Sequence, residues 1–218
     1  MRRAPGRLIL AVTVLLAFLA GGFLIPRGEK SIGLLASGVS VDDRMASLRM
    51  RVAAVERENE NLQTELRVRT ALAGHGQRLS AAEIERVTAS ILEAHDRYGI
   101  SADVLLAVIA TESGFDTRAA SHAGALGLMQ LMPSTGQEMA GDLDIEWTGD
   151  HMLYDPAINI KLGSEYLHRM FQRFGHADNA LAAYNAGPTR VEGMNEAGIL
   201  PRVYPGRVRE GLRRFAPR

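Results

Sequence analysis

Residues 104 to 116, VLLAVIATESGFD, run a series of aliphatic side chains into a single glutamate, Glu112, and break at Gly114. Val104, Leu105, Val108, Ile109 and Glu112 are spaced i, i+1, i+4, i+5 and i+8, which places them on one face of an α-helix. That stripe aims the carboxylate at the interior or at the floor of a cleft, and leaves Thr111 and Ser113 pointing elsewhere. Three effects would raise its pKa: partial desolvation, the negative end of its own helix, and the absence of Lys or Arg within one helical turn. A carboxylic acid that keeps its proton near neutrality is what general-acid cleavage of a glycosidic bond requires. On helix position alone, a glutamate that snorkels to water or caps a backbone amide fits better, because charged side chains are seldom fully buried.

Three downstream blocks reverse that balance. ATESGFDTRAASHAGALGLMQLMPSTG (110–136), YDPAINIKLGSEYL (154–167) and ALAAYNAG (180–187) resemble, in order and spacing, the soluble lytic transglycosylase domain of the lysozyme-like superfamily. The resemblance implies a peptidoglycan lytic transglycosylase that cleaves the β-1,4 bond between N-acetylmuramic acid and N-acetylglucosamine and leaves 1,6-anhydromuramyl ends. A hydrolytic lysozyme of the same fold and a catalytically weak peptidoglycan-binding scaffold are the alternatives. By the same resemblance Glu112 matches the catalytic acid/base, and Ser121 a serine that positions substrate or carboxylate, where a plain turn serine would also fit. Gln130 matches a sugar-contacting glutamine, Tyr184 a tyrosine whose hydroxyl approaches the glutamate, and Asn185 a cleft-lining or structural asparagine. Met129 and Met132 either lie under the sugars or fill the core, the commoner fate of methionine.

Most glycoside hydrolases pair two carboxylates, about 5 Å apart for retention and ~6.5–9.5 Å for inversion. No second acid here matches a known partner, and Asp116, beyond the Gly114 break, reads as a loop anchor. A lytic transglycosylase needs one, since the substrate's N-acetyl group and 6-hydroxyl supply the rest. No cofactor is expected. The acids of DLDIEWTGD (142–150) lack the glycine and glutamate of a calcium loop, and the six histidines show no ligand spacing, so no metal site is expected either. Trp147 either stacks on a sugar or anchors the core.

The elements that must position these residues are helical. SAAE at 80–83 reads as a capping box, Ser101 starts a second helix, a third begins near Ser134, and Asp155-Pro156 caps a fourth. A fifth covers ADNALAAYNAG and stops at Gly187-Pro188. Strands are scarcely signalled, so the expected fold is all-α or nearly so: a lysozyme-like helical domain over 80–218, preceded by a transmembrane segment and a coiled-coil helix. The C-terminal RVYPGRVREGLRRFAPR departs from the family, which usually closes with a Glu-Thr pair before Tyr-Val; its arginines either touch anionic polymer or form a solvated helix face, the safer reading.

The N-terminal portion has different surroundings. Residues 1–79 carry 12 Arg and Lys against 7 Asp and Glu, whereas residues 80–218 carry 13 against 18, which speaks against a nucleic-acid partner. Leu8 to Ile25 form 18 uncharged residues behind three arginines, long enough to cross a bilayer with the N-terminus inside, or to act as a signal segment cut near Ala20. Residues 1–28 are therefore expected to be anchor or signal. The catalytic domain would then lie on the periplasmic face of a bacterial inner membrane, or free in the periplasm after cleavage.

From Val41 the apolar residues recur with gaps of four and three: Met45, Leu48, Val52, Val55, then Asn59, Leu62 and Leu66. This heptad seam predicts a coiled-coil spacer over 29–72 and either a parallel homodimer through residues 41–69 or a solitary charged stalk. Ala73-Gly74-His75-Gly76-Gln77 reads as the hinge, over 73–79.

Overall fold

The computed structural model describes residues 40–76, 78–199 and 202–215. The expected membrane segment and the first part of the spacer, residues 29–39, lie outside them. Among the described residues no helix is long and apolar enough to cross a membrane. The chain divides into two units, Met1–Arg49 and Met50–Arg218.

In chain order the helices are α1 (Val41–Ala73), α2 (Ala81–Tyr98), α3 (Ala102–Glu112), α4 (Pro133–Asp142), α5 (Pro156–Phe174), α6 (Ala177–Ala186), α7 (Pro188–Glu196) and α8 (Val203–Phe215), with a 3₁₀ turn over Asp150–Tyr154. Among the described residues no strand forms beyond the isolated antiparallel bridges Ala120–Leu126 and Leu126–Leu131. Local chemistry accounts for three of the helix starts around the site. Ser80 and Glu83 form the reciprocal capping box. The Ser101 side chain accepts from Val104 N, and Asp155 accepts from Ala157 N and Ile158 N ahead of Pro156.

The α1 helix is continuous where the coil was expected, and the seam residues Met45, Leu48, Val52, Val55, Leu62 and Leu66 are exposed. Its last turns behave differently. Val68 and Leu72 are fully buried in the main core, so the globular body begins inside α1 and not at the expected boundary of residue 80. The glycine-rich segment ends the helix as read, but it is pinned. The His75 ring lies 4.3 Å from the Phe115 ring, Leu79 is buried, and Arg78 Nη1 donates to the Gly114 carbonyl at 3.2 Å.

At the centre lies α3. Leu105, Leu106, Ala107, Val108 and Ile109 are all fully buried, so the helix is sheathed on every side and not along one stripe. α8 packs along it, and a Cβ at Gly211 would stand 3.4 Å from the Ala107 Cβ, which lets the two backbones approach closely. This is why an eleven-residue helix carries no charge between Asp103 and Glu112. A second, smaller core forms from Leu131, Met139, Ala140, Leu153 and Leu162, with Trp147 packed against it.

One side chain ties the two cores to the loop between α3 and α4. Asn159, fully buried on α5, accepts from Met129 N at 2.7 Å and donates to the carbonyls of Leu126 (2.9 Å) and Leu153 (2.8 Å). Gly127 sits over it with φ +75°, and a Cβ there would fall 2.1 Å from the Leu153 carbonyl oxygen. One amide thus serves three backbone groups: it satisfies Met129 N and the Leu153 carbonyl, and adds a second donor to the Leu126 carbonyl, which also accepts from Leu131 N at 3.1 Å.

Candidate active site

The α3 helix ends on Glu112, and the chain reverses through two left-handed residues, Gly114 (φ 58°) and the buried Phe115 (φ 68°). A bulky residue there is strained, and it is held by ring contacts with His75 and, at 6.2 Å, Phe215. The reversal carries the chain away from the carboxylate, which stands half-buried at a cavity of about 430 Å³.

Burial raises Glu112 to about 6. Opposing this, the Tyr204 hydroxyl donates to Glu112 Oε1 at 2.5 Å, and the Arg207 guanidinium favours the carboxylate. Both come from α8, so the absence of a cation within one turn of α3 is offset by one 95 positions away in sequence. Tyr204 itself is held far above the ordinary phenol range, chiefly by burial and next by the neighbouring Glu112, and therefore remains a neutral donor.

The cavity brings together Ser121, Gln130, Met132, Tyr184 and Asn185 with Glu112. Ser121 Oγ accepts from Ala125 N at 3.0 Å, closing the turn that bears it. Gln130 sits at φ 48°, and its Nε2 donates to the carbonyls of Gly127 (3.0 Å) and Ala119 (3.2 Å), so its backbone strain is locked by its own side chain. Met132 is 41 % exposed and lines the wall, as does Tyr166, whose ring lies 5.3 Å from that of Tyr184.

The structure decides between the two fates open to Met129 and gives the Tyr184 hydroxyl a different hydrogen-bond partner from the expected glutamate. Met129 is fully buried, its sulfur and Cβ filling the space over Gly163, where any Cβ would fall 2.6 Å from Sδ; only its backbone serves the site. The Tyr184 hydroxyl donates to that Met129 carbonyl at 2.7 Å, and Glu112 takes its phenolic hydrogen bond from Tyr204. Tyr184 is nonetheless near enough for the Glu112 charge to help raise its pKa, after the larger effect of burial. Among the described lining residues Glu112 is the one carboxylate, and Asp116 accepts from Arg118 N at 2.9 Å as a loop anchor.

Tyr204 is the residue sequence reasoning missed. Its signal was present: Tyr204, Val208, Leu212 and Phe215 make an apolar stripe within the arginine-rich tail, and Tyr204 and Val208 are buried.

The chain is similar to several lytic transglycosylases. The soluble lytic murein transglycosylase of Salmonella typhimurium is 38 % identical over 108 residues, 48 % of this chain and 17 % of that protein. The membrane-bound lytic murein transglycosylase C of Salmonella paratyphi B is 31 % identical over 134 residues, 54 % of this chain and 37 % of that protein. Among solved structures, an inactive mutant of the lytic transglycosylase Slt from Pseudomonas aeruginosa is 37 % identical with a TM-score of 0.46, covering 48 % of this chain and 17 % of that one. The chain thus spans well under half the length of these relatives. The Transglycosylase SLT domain matches residues 89–197, half of the chain's 218 residues and a span that runs from α2 through Glu112 to the end of α7, and on that match the chain belongs to this family.

Proposed function

We propose that this domain is a peptidoglycan lytic transglycosylase that cleaves the bond between N-acetylmuramic acid and N-acetylglucosamine and leaves 1,6-anhydromuramyl ends. The observation that carries the reading is Glu112, one carboxylate raised to about 6 by burial, held by Tyr204 at the edge of a cavity large enough for sugar rings. Protonated Glu112 gives its proton to the glycosidic oxygen as the C1–O bond breaks. The substrate's N-acetyl group stabilises the developing cation. Ionised Glu112 then takes the proton of the muramyl 6-hydroxyl as that oxygen bonds to C1, which restores the acid without consuming water. Intramolecular attack asks the protein only for orientation, and Ser121, Gln130, Met132 and Asn185 along the wall are placed to supply it.

Mass spectrometry of muropeptides released from sacculi tests this. The wild type is expected to release anhydro ends, and Glu112→Gln to lose at least about a hundredfold of that activity, the range of a general acid–base group. Reducing ends would make the enzyme a lysozyme, and unchanged release by Glu112→Gln would remove the acid from its role.

The remaining parts of the chain fit an envelope enzyme. Residues 8–25 serve as the anchor, setting the domain on the periplasmic side of the inner membrane, and the exposed seam of α1 pairs two chains in parallel through residues 41–69. Sedimentation of residues 30–218 should show a concentration-dependent dimer; a strict monomer at high concentration rejects the pairing.

A further inference from the structure

A second hollow, of about 250 Å³, lies beside the cavity and shares Asn185 and Ala186 with it. Its remaining lining joins two kinds of surface. Ala182, Met194 and Val203 are apolar, while Arg190 from α7 and Arg207 from α8 line the same space. Tyr204 completes it, and its hydroxyl is the one bonded to Glu112, so the hollow is separated from the acid by one tyrosine ring.

The arginines of this domain fall into two groups, and Arg190 and Arg207 share theirs with Arg97, Arg118, Arg202 and Arg213, none of which has an ion pair among the described residues. Arg69, Arg86, Arg169, Arg173 and Arg209 each sit in an ion pair. Arg190 and Arg207 have no carboxylate in ion-pair contact among the described residues, and Arg207 makes only a long bond, 3.4 Å, to the Thr111 carbonyl. Two cationic side chains lining one hollow favour an anion there, although Arg207 is also near enough to act on the Glu112 carboxylate. Guanidinium groups suit a carboxylate, which they bind through paired N–H donors. The apolar lining suits small alkyl groups beside it.

We propose that this hollow is a carboxylate subsite, in which Arg190 and Arg207 hold an anionic group on the muramyl arm of the glycan while Ala182, Met194 and Val203 receive its methyl-bearing part. This rests on the proposed function, since it takes the arm of the same substrate whose ring would lie against Glu112. The carboxylate is either that of the lactyl group or one on an attached peptide. It fixes which way round the strand lies, because only the muramyl sugar carries the arm, and so presents the muramyl C1 and 6-hydroxyl to Glu112.

The test compares the 218-residue chain with Arg190→Ala and Arg190→Lys on three sets of glycan strands: peptide-bearing, peptide-free with the lactyl carboxylate intact, and peptide-free with that carboxylate amidated. Arg190→Ala is expected to raise KM on the order of tenfold on carboxylate-bearing strands with kcat little changed, Lys to recover part of this, and the amidated strands to show no difference. A penalty that persists on the second set assigns the lactyl group, and one that vanishes there assigns the peptide; both support the subsite. An equal KM throughout, or the same penalty on amidated strands, overturns it. Binding of the three sets to Glu112→Gln, with and without Arg190→Ala, gives the same comparison without turnover. If the wild type cleaves no strand the proposed function has failed, and the subsite still stands or falls on that binding difference.

Discussion

Two helices that carry a long aliphatic series, α1 and α3, meet opposite fates. Over residues 41–66 the apolar seam of α1 faces solvent, with Val55 63 % and Leu62 59 % exposed, whereas every residue of α3 from Leu105 to Ile109 is fully buried. A seam two residues wide on a charged helix asks for one partner surface. A run without any polar face asks to be surrounded. In α3 that enclosure does chemical work, since the burial that stabilises the helix also raises the acid at its end.

The contrast can be broken at its strongest point first. Leu106→Ala in α3 should cost about 2–5 kcal/mol of unfolding free energy, as for a large-to-small change in a sealed core. Denaturant titration checks this, and a cost below 1 kcal/mol would mean the helix is not enclosed as described.

Next comes the cost of burying the acid. Glu112 stands at about 6 in the folded chain against 4.5 when unfolded, so the folded state binds the extra proton between those values. Stability therefore falls as pH rises through that window, by up to about 2 kcal/mol. Glu112→Gln should raise stability at pH 7 by up to that amount and lose the gain below about pH 4.5. Thermal melts across pH read it, and a melting point equally shifted at pH 4 and pH 7 would sink the assignment of burial as the cause.

Smaller still is the effect of Tyr204→Phe. Removing a hydrogen bond that favours the carboxylate should move the basic limb of kcat/KM to higher pH by up to about one unit. The other groups acting on Glu112, the Arg207 charge and the buried Tyr184 phenol, are untouched by that change. A downward shift would contradict the Tyr204–Glu112 geometry.

The smallest expected effect belongs to α1. Leu62→Ala should change the unfolding free energy of the globular body by less than about 0.5 kcal/mol, as for an exposed site. A large, concentration-dependent loss would instead show that the seam is covered by a second chain.

What could be read from sequence was local. Ser80 with Glu83, and Asp155 with Pro156, specify helix starts through atoms within three residues of each other, so their pattern carries its own geometry. The Glu112 helix was legible as a stripe, but its second buried face was not, because Leu106 and Ala107 are apolar in either case. The Tyr204–Glu112 bond spans 92 positions, and its arginine neighbours turned attention to solvent. Asn159 stands in an ordinary-looking helix, INIKL, and nothing near it announces three backbone partners, two of them about thirty residues away. Met129 in GLMQLMP was open to either sugar contact or the core, and what decides it, a missing β-carbon at Gly163, lies on another helix.

The Tyr204 contact also ties the acid to the far end of the described chain. Glu112 closes α3, while the phenol and the guanidinium that act on it both come from the last described helix, so the setting of the carboxylate is complete only when α8 has packed along α3. A chain cut before α8 would keep the glutamate and lose the environment that holds it near 6.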